Sequence, residues 1–198
     1  MVIGITESKL DSSINDNEVH INGYSIIRKD RNRNGGGVAC YIRDDLCFNL
    51  KNVFDKYIEA VFFEILIPKM KTISVGIFYR PPSQNEFLEL IIKDLHNIDF
   101  VKHEVFILGD FNVNLFSNNK YILNEKNDIE GLVPLSPLIN KYKELCLTFG
   151  IKQLIMEPTR HSCNTSTLLD HILTNTENKV SSSGVIDIGI SDQKMIYC

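Results

Sequence analysis

Little in this chain points to a membrane or to a thiolate metal site. No apolar stretch approaches the roughly 20 residues needed to span a bilayer. The start, Met-Val-Ile-Gly-Ile-Thr-Glu, lacks the basic flank and long apolar region of a signal peptide. The five cysteines (Cys40, Cys47, Cys146, Cys163 and Cys198) are odd in number, scattered, and without a C-x-x-C pair. Neither a zinc site nor a disulfide framework is indicated, so a reducing intracellular compartment is the expectation. Internal repeats, low-complexity tracts and interdomain linkers are missing. Positive charge is not in excess, since 21 Lys and Arg against 25 Asp and Glu leave a net charge of −4. That argues against a protein that coats nucleic acid nonspecifically. It does not exclude an enzyme that cuts nucleic acid, because acidic metal ligands weigh on the total.

What is present is globular in kind. At 198 residues, 43% hydrophobic and 23% charged, the chain fits one domain with a substantial core. Val2 to Thr6 reads as a buried strand ending at Glu7. A short strand is expected around Tyr24 to Ile26, and another from Val38 to Ile42. Between them Arg28, Lys29, Arg31 and Arg33 crowd the stretch before Gly35-Gly36-Gly37, a tight backbone passage whose basic turn suits phosphate contacts. Ala60 to Ile67 and Thr72 to Tyr79 read as a hairpin across Pro68-Lys69-Met70-Lys71. Phe87, Leu90, Ile91, Leu95 and Ile98 recur at helical spacing. Val105 to Leu108 is the next strand, and Phe111 to Pro134 reads as a long polar surface loop. A second helix is expected from Ser136-Pro137, with Tyr142, Leu145, Cys146 and Phe149 on one face and Gly150 ending it. Three more apolar runs follow, Ile151 to Met156, Leu168 to Leu173 and Val185 to Ile190. Many strands and few helices imply an α+β fold, with two sheets packed face to face and helices outside.

Polar residues at strand ends are the places to look for chemistry, because rigid strands position groups that loops leave accessible. Gly109-Asp110-Phe111-Asn112 directly follows the apolar run Val105 to Leu108, so a carboxylate and a carboxamide stand two residues apart at a strand end. Glu7, Tyr79-Arg80, Thr159-Arg160, Asp170-His171 and Ser191-Asp192 occupy comparable places. Each alone has an ordinary structural explanation, since Gly and Asn are common turn formers. Oxygen-rich groups without a cysteine or histidine cluster favour a hard cation such as Mg2+ or Mn2+. Such a cation with carboxylates, Asn, Tyr and Arg suits phosphodiester cleavage.

The order of these pieces resembles the endonuclease/exonuclease/phosphatase superfamily. The resemblance is carried by Ile5-Thr6-Glu7-Ser8-Lys9-Leu10, the run Gly35 to Arg43, Tyr79-Arg80-Pro81-Pro82, Gly109-Asp110-Phe111-Asn112, Ser166 to Ile172, and Ile190-Ser191-Asp192. The glycine run and Tyr-Arg-Pro-Pro look most like the apurinic-type endonuclease domain of non-LTR retrotransposons. The resemblance implies a four-layered α/β sandwich of two mixed sheets with helices outside, and a magnesium-dependent enzyme that nicks DNA. It implies that Glu7 binds the metal, with Asp192 near it. Tyr79 and Asn112 would contact the scissile phosphate, and Asp110 would orient or activate the water. Asp170 matches the aspartate that pairs with a catalytic histidine. Thr159 matches a phosphate-contacting threonine, and Arg80, Arg31 and Arg33 are the expected cationic contacts to nucleic acid.

Two places depart from the family pattern. It ends Ser-Asp-His, whereas here Ser191-Asp192 is followed by Gln193. A glutamine amide cannot carry a proton near neutral pH, as histidine can. His171, adjacent to Asp170, faces the other side of its strand and is read as structural. The pattern also opens with a strand and helix that would precede Met1, so the expectation is a domain incomplete at its N-terminus and cut inside its last strand. The functional expectation is a DNA-nicking phosphodiesterase impaired by Gln193, with a catalytically dead remnant as the alternative and a phosphoester phosphatase behind both. DNA is the expected partner, with no membrane. A reverse transcriptase domain would follow in a longer polyprotein, and the domain itself would be monomeric. A nuclear location would follow from a DNA target.

Overall fold

The computed structural model describes residues 1–117, 120–121, 136–162, 165–189 and 192–198. The chain divides into two compact units, Met1–Asp110 and Phe111–Cys198. The first unit carries β1 (Val2–Thr6), β2 (Tyr24–Lys29), β3 (Val38–Arg43), β4 (Phe48–Leu50), β5 (Glu59–Ile65), β6 (Thr72–Tyr79), helix α1 (Phe87–Leu95) and β7 (His103–Asp110). β1, β3 and β2 form an antiparallel sheet in that order. β4, β5 and β6 pair antiparallel, and β7 lies parallel to β6.

The two layers meet along one apolar seam. Val38, Cys40 and Ile42 from β3 pack with Val61, Phe63 and Ile65 from β5 and with Val75, Ile77 and Tyr79 from β6. These positions alternate along each strand, so the opposite face of β6 is free for other partners. There Phe78 makes an edge contact with Phe87 at the start of α1, and Phe54 stands edge-on to both Phe62 and Phe78. Phe87, Leu88, Ile91 and Leu95 bury the helix on that side. The unit is therefore sheet on strands on helix.

Most expected elements form, with changes at their ends. The hairpin turn closes through Met70 N–H donating to the Ile67 carbonyl, with Lys69 left-handed at φ 66°. Helix α1 stops at Leu95 although Ile98 keeps the helical spacing. Asn97 and Ile98 donate three residues back, to Asp94 and Leu95, which tightens the last turn and ends it. β7 extends past Leu108 through Gly109, where φ is 137° and a Cβ would stand 1.9 Å from the Phe78 carbonyl oxygen. Only glycine lets the strand run on to Asp110 at that approach.

The second unit carries β8 (Phe116–Ser117), β9 (Lys120–Tyr121), α2 (Pro137–Phe149), β10 (Lys152–Gln153), β11 (Arg160–Ser162), β12 (Thr165–Thr167), β13 (Asp170–Thr174), β14 (Gly184–Ile186) and β15 (Met195–Tyr197). The pairs β8–β9, β10–β13, β11–β12 and β14–β15 are all antiparallel. Helix α2 begins and ends as its sequence dictates. The Ser136 hydroxyl accepts from Ile139 N–H, Pro137 opens the first turn, and Gly150 closes the helix at φ 60°.

The expected surface loop is a correction. Phe111, Val113 and Leu115 are fully buried, and Phe111 stacks on His171 and meets Tyr142 edge-on. Their period-two spacing is that of a half-buried extended segment. The rest of the loop, residues 118–119 and 122–134, lies outside the described residues, as do Ile190 and Ser191 of the final motif.

Candidate functional site

In the first unit, β6 and β7 run parallel with Tyr79 opposite Asp110 in register. Both are nearly buried, at 3% exposure each. The Arg80 N–H donates to the Asp110 carbonyl at 2.8 Å, so the two strand ends are tied together. Glu7 follows β1 in the left-handed region at φ 52°, which is unusual for a non-glycine residue. The conformation is held from outside: Ser8 N–H donates to Gly37 O at 3.2 Å, and Lys9 N–H to Gly36 O at 2.9 Å. It delivers the carboxylate to Tyr79, whose hydroxyl donates to Glu7 Oε1 at 2.6 Å.

The electrostatics follow from this placement. Burial, then the hydrogen bond to Glu7 and the charges of Glu7 and Asp110, push the Tyr79 phenol well above its usual range, while Arg31 works against the shift. Tyr79 is thus a neutral donor across ordinary pH. The Arg31 guanidinium lies over its ring, 5.8 Å from the centroid. Burial lowers the Arg80 guanidinium from its usual value, and the charge of Asp110 opposes that change. Arg80 is 2% exposed and its Nε donates to the Gln84 carbonyl, so it is a buried brace near Asp110 and not a solvated charge.

Arg33 is placed elsewhere. It pairs with Asp11 and Ser13 on the surface. The functional neighbourhood also contains a residue that the sequence reading passed over. Glu59, at the head of β5, receives Arg31 Nη1 at 2.8 Å and the Gly37 N–H at 2.6 Å. Its signal in sequence was an acid opening a mostly apolar strand.

The second unit gathers another group. The Thr159 hydroxyl, fully buried, accepts from both Leu169 and Asp170 N–H at 3.2 Å. Asp170, 8% exposed, opens β13. Asp192 pairs with Arg160 Nε at 2.7 Å, and Gln193 forms a bridge opposite Arg160. Arg160 is the residue that draws this end of the chain together, and its only sequence signal was its place beside Thr159. Asn112 sits just past the strand end at φ 48°, a left-handed conformation that asparagine tolerates. His171 is fully buried, with its imidazole lowered to about 3 by desolvation, so it is a core residue.

The donor set is oxygen-based. Among the described residues no group of three or more His, Cys, Asp or Glu lies close enough to share a metal ion. One exposed carboxylate such as Glu7 still fits magnesium, which keeps several waters and often takes only one or two protein carboxylates.

An α/β sandwich with a tyrosine, two carboxylates and two arginines at its strand ends defines the class. The sequence pattern of the Endonuclease/Exonuclease/phosphatase family matches residues 2–192, and the chain belongs to that family. Solved structures share its fold. The endonuclease domain of TRAS1, a telomere-specific non-LTR retrotransposon, superposes with a TM-score of 0.66 at 12% identity, over 89% of this chain and 79% of that one. An AP endonuclease from Archaeoglobus fulgidus gives 0.65 at 16% identity, over 98% and 86%. The 3'-5' exonuclease NExo from Neisseria meningitidis gives 0.68 at 13% identity, over 98% and 87%. No curated protein matches the chain by sequence.

Proposed function

We propose that the chain is a metal-dependent phosphodiester hydrolase of the retrotransposon endonuclease type, nicking DNA at a rate lowered by Gln193. The observation that carries this reading is the hydrogen bond from Tyr79 to Glu7 beside the buried Asp110, at the ends of β1, β6 and β7. The likeness to the TRAS1 endonuclease domain supports DNA as the substrate.

Glu7 would hold Mg2+ or Mn2+, and the cation when bound would neutralise phosphate charge. Tyr79 stays protonated, and with Glu7 engaged by the cation its single O–H would be free to donate to a phosphate oxygen. Asp110 orients the attacking water and accepts its proton. Asn112 adds a donor to the phosphate, and Arg31 and Arg80 add positive charge. Asp170 would orient the residue at position 193. Gln193 can donate an N–H there but cannot transfer a proton, and loss of such a group typically costs about 10²–10⁴ in rate.

The test is magnesium-dependent nicking of supercoiled plasmid by the whole chain. Slow nicking is expected, accelerated about 10²–10⁴-fold by Gln193→His and abolished by Asp110→Ala. Robust nicking that survives Asp110→Ala would overturn the site. Gln193 also favours a second reading, a chain that binds metal or nucleic acid without cutting. That reading expects no cleavage even with histidine restored.

A further inference from the structure

Glu59 is a buried acid with no part in the scheme above. It is 9% exposed, and both of its oxygens are engaged. Oε2 accepts the Gly37 N–H and Oε1 takes Arg31 Nη1. Arg31 is held a second time by its Nε, which donates to the Gly35 carbonyl at 2.8 Å. Glu59 is also the register partner of Tyr79 across β5 and β6. A Cβ on Gly36 would stand 2.3 Å from Arg31 Cζ and 2.5 Å from Glu59 Oε2, so the turn closes on this pair only because it is glycine.

The consequence is an arginine with little freedom left to lose. A loose arginine gives up rotamer entropy when it is ordered. Arg31 is already ordered on two sides, yet its side chain keeps 37% exposure and its Nη2 has no hydrogen-bond partner among the described residues. A fixed guanidinium with one open edge is suited to a phosphate oxygen.

We propose that Glu59 is a positioning residue, holding Arg31 against Tyr79 so that its Nη2 edge receives a nucleic-acid phosphate beside the one that Tyr79 contacts. The proposal rests on the nuclease reading and names a second phosphate subsite within it. Glu59 touches no substrate; it acts through Arg31 and through the glycine turn that also braces Glu7.

The experiment is binding of a labelled DNA duplex to the full chain across a salt series, followed by anisotropy without divalent metal so that nothing is cut. Arg31→Ala should weaken binding about tenfold and lower the slope of log affinity against log salt by about 1. Glu59→Gln, which can still accept the Gly37 N–H, should lose most of the same affinity. The double variant should bind no more weakly than Arg31→Ala alone. Arg31→Lys keeps the charge but cannot hold Glu59 and Gly35 together, so it should behave like Arg31→Ala.

Wild-type binding by Glu59→Gln or by Arg31→Lys would overturn the proposal. So would losses that multiply in the double variant, because a merely structural Glu59 acts independently of Arg31. If thermal melting shows Glu59→Gln unfolded, Arg31→Lys against Arg31→Ala decides the question. A wild-type chain that binds no DNA fails the nuclease reading itself, a result separate from any ranking among variants.

Discussion

In the first unit Tyr79 and Arg31 bond acidic side chains; in the second, Thr159, Gln153 and Asn114 bond the backbone. Tyr79 bonds Glu7 and Arg31 bonds Glu59, side chain to side chain. In the second unit Thr159 Oγ1 takes two backbone N–H groups, from Leu169 and Asp170. Gln153 Oε1 takes two more, from Leu154 and Ile172, and Asn114 Oδ1 takes those of Phe116 and Leu168. Strand length accounts for the difference. β5, β6 and β7 run seven or eight residues and satisfy their own peptide groups through the ladder. β10, β11 and β12 run only two or three, so side chains replace the missing ladder. Long ladders thus release polar side chains for chemistry, and short ones consume them as structure.

The largest effect expected from this contrast is Gln153→Leu. Gln153 is 1% exposed, and the variant orphans the Ile172 N–H at a cost of about 1–3 kcal/mol, while the Leu154 N–H keeps the Ile172 carbonyl. The urea midpoint should fall sharply. A change no larger than that of a surface substitution would break the claim that side chains substitute for the ladder here.

A smaller effect should appear in acid. His171 is buried between Phe111 and Tyr142 with its imidazole lowered from 6.5 to about 3. Below pH 6.5 the unfolded chain takes up a proton that the folded chain refuses. The stability this confers is complete above pH 6.5 and is lost progressively as the pH falls toward 3. Urea midpoints at pH 7 and pH 5 should therefore drop more in wild type than in His171→Phe. Equal drops would show that the imidazole is reachable by protons in the folded state.

How much of this was legible in the sequence depends on the range of the interaction. Ser136-Pro137 and Gly150 announce the ends of α2 because capping is local. Glu7, Tyr79 and Asp110 stood out because each ends an apolar run. The Arg31–Glu59 pair was not legible, since 28 residues separate its members and only the packing of two sheets brings them together. Phe111, Val113 and Leu115 were masked by the polar residues between and after them. The basic turn could not be resolved into its parts either, for Arg31 and Arg33 are equivalent as letters and differ only in what they meet.

That last difference carries the smallest prediction. Arg33 has 61% of its side chain exposed and pairs with Asp11 at the surface, where solvent and salt screen the attraction. Arg31 is clasped by a buried carboxylate and a carbonyl. Arg33→Ala should leave the urea midpoint unchanged and weaken DNA binding less than Arg31→Ala does, because a free arginine must be ordered at the moment of contact and an ordered one need not be. If Arg33→Ala proved the more damaging of the two, the phosphate track would run along the outer side of the turn, and preorganisation would not be what sets the contribution of a cation at this edge.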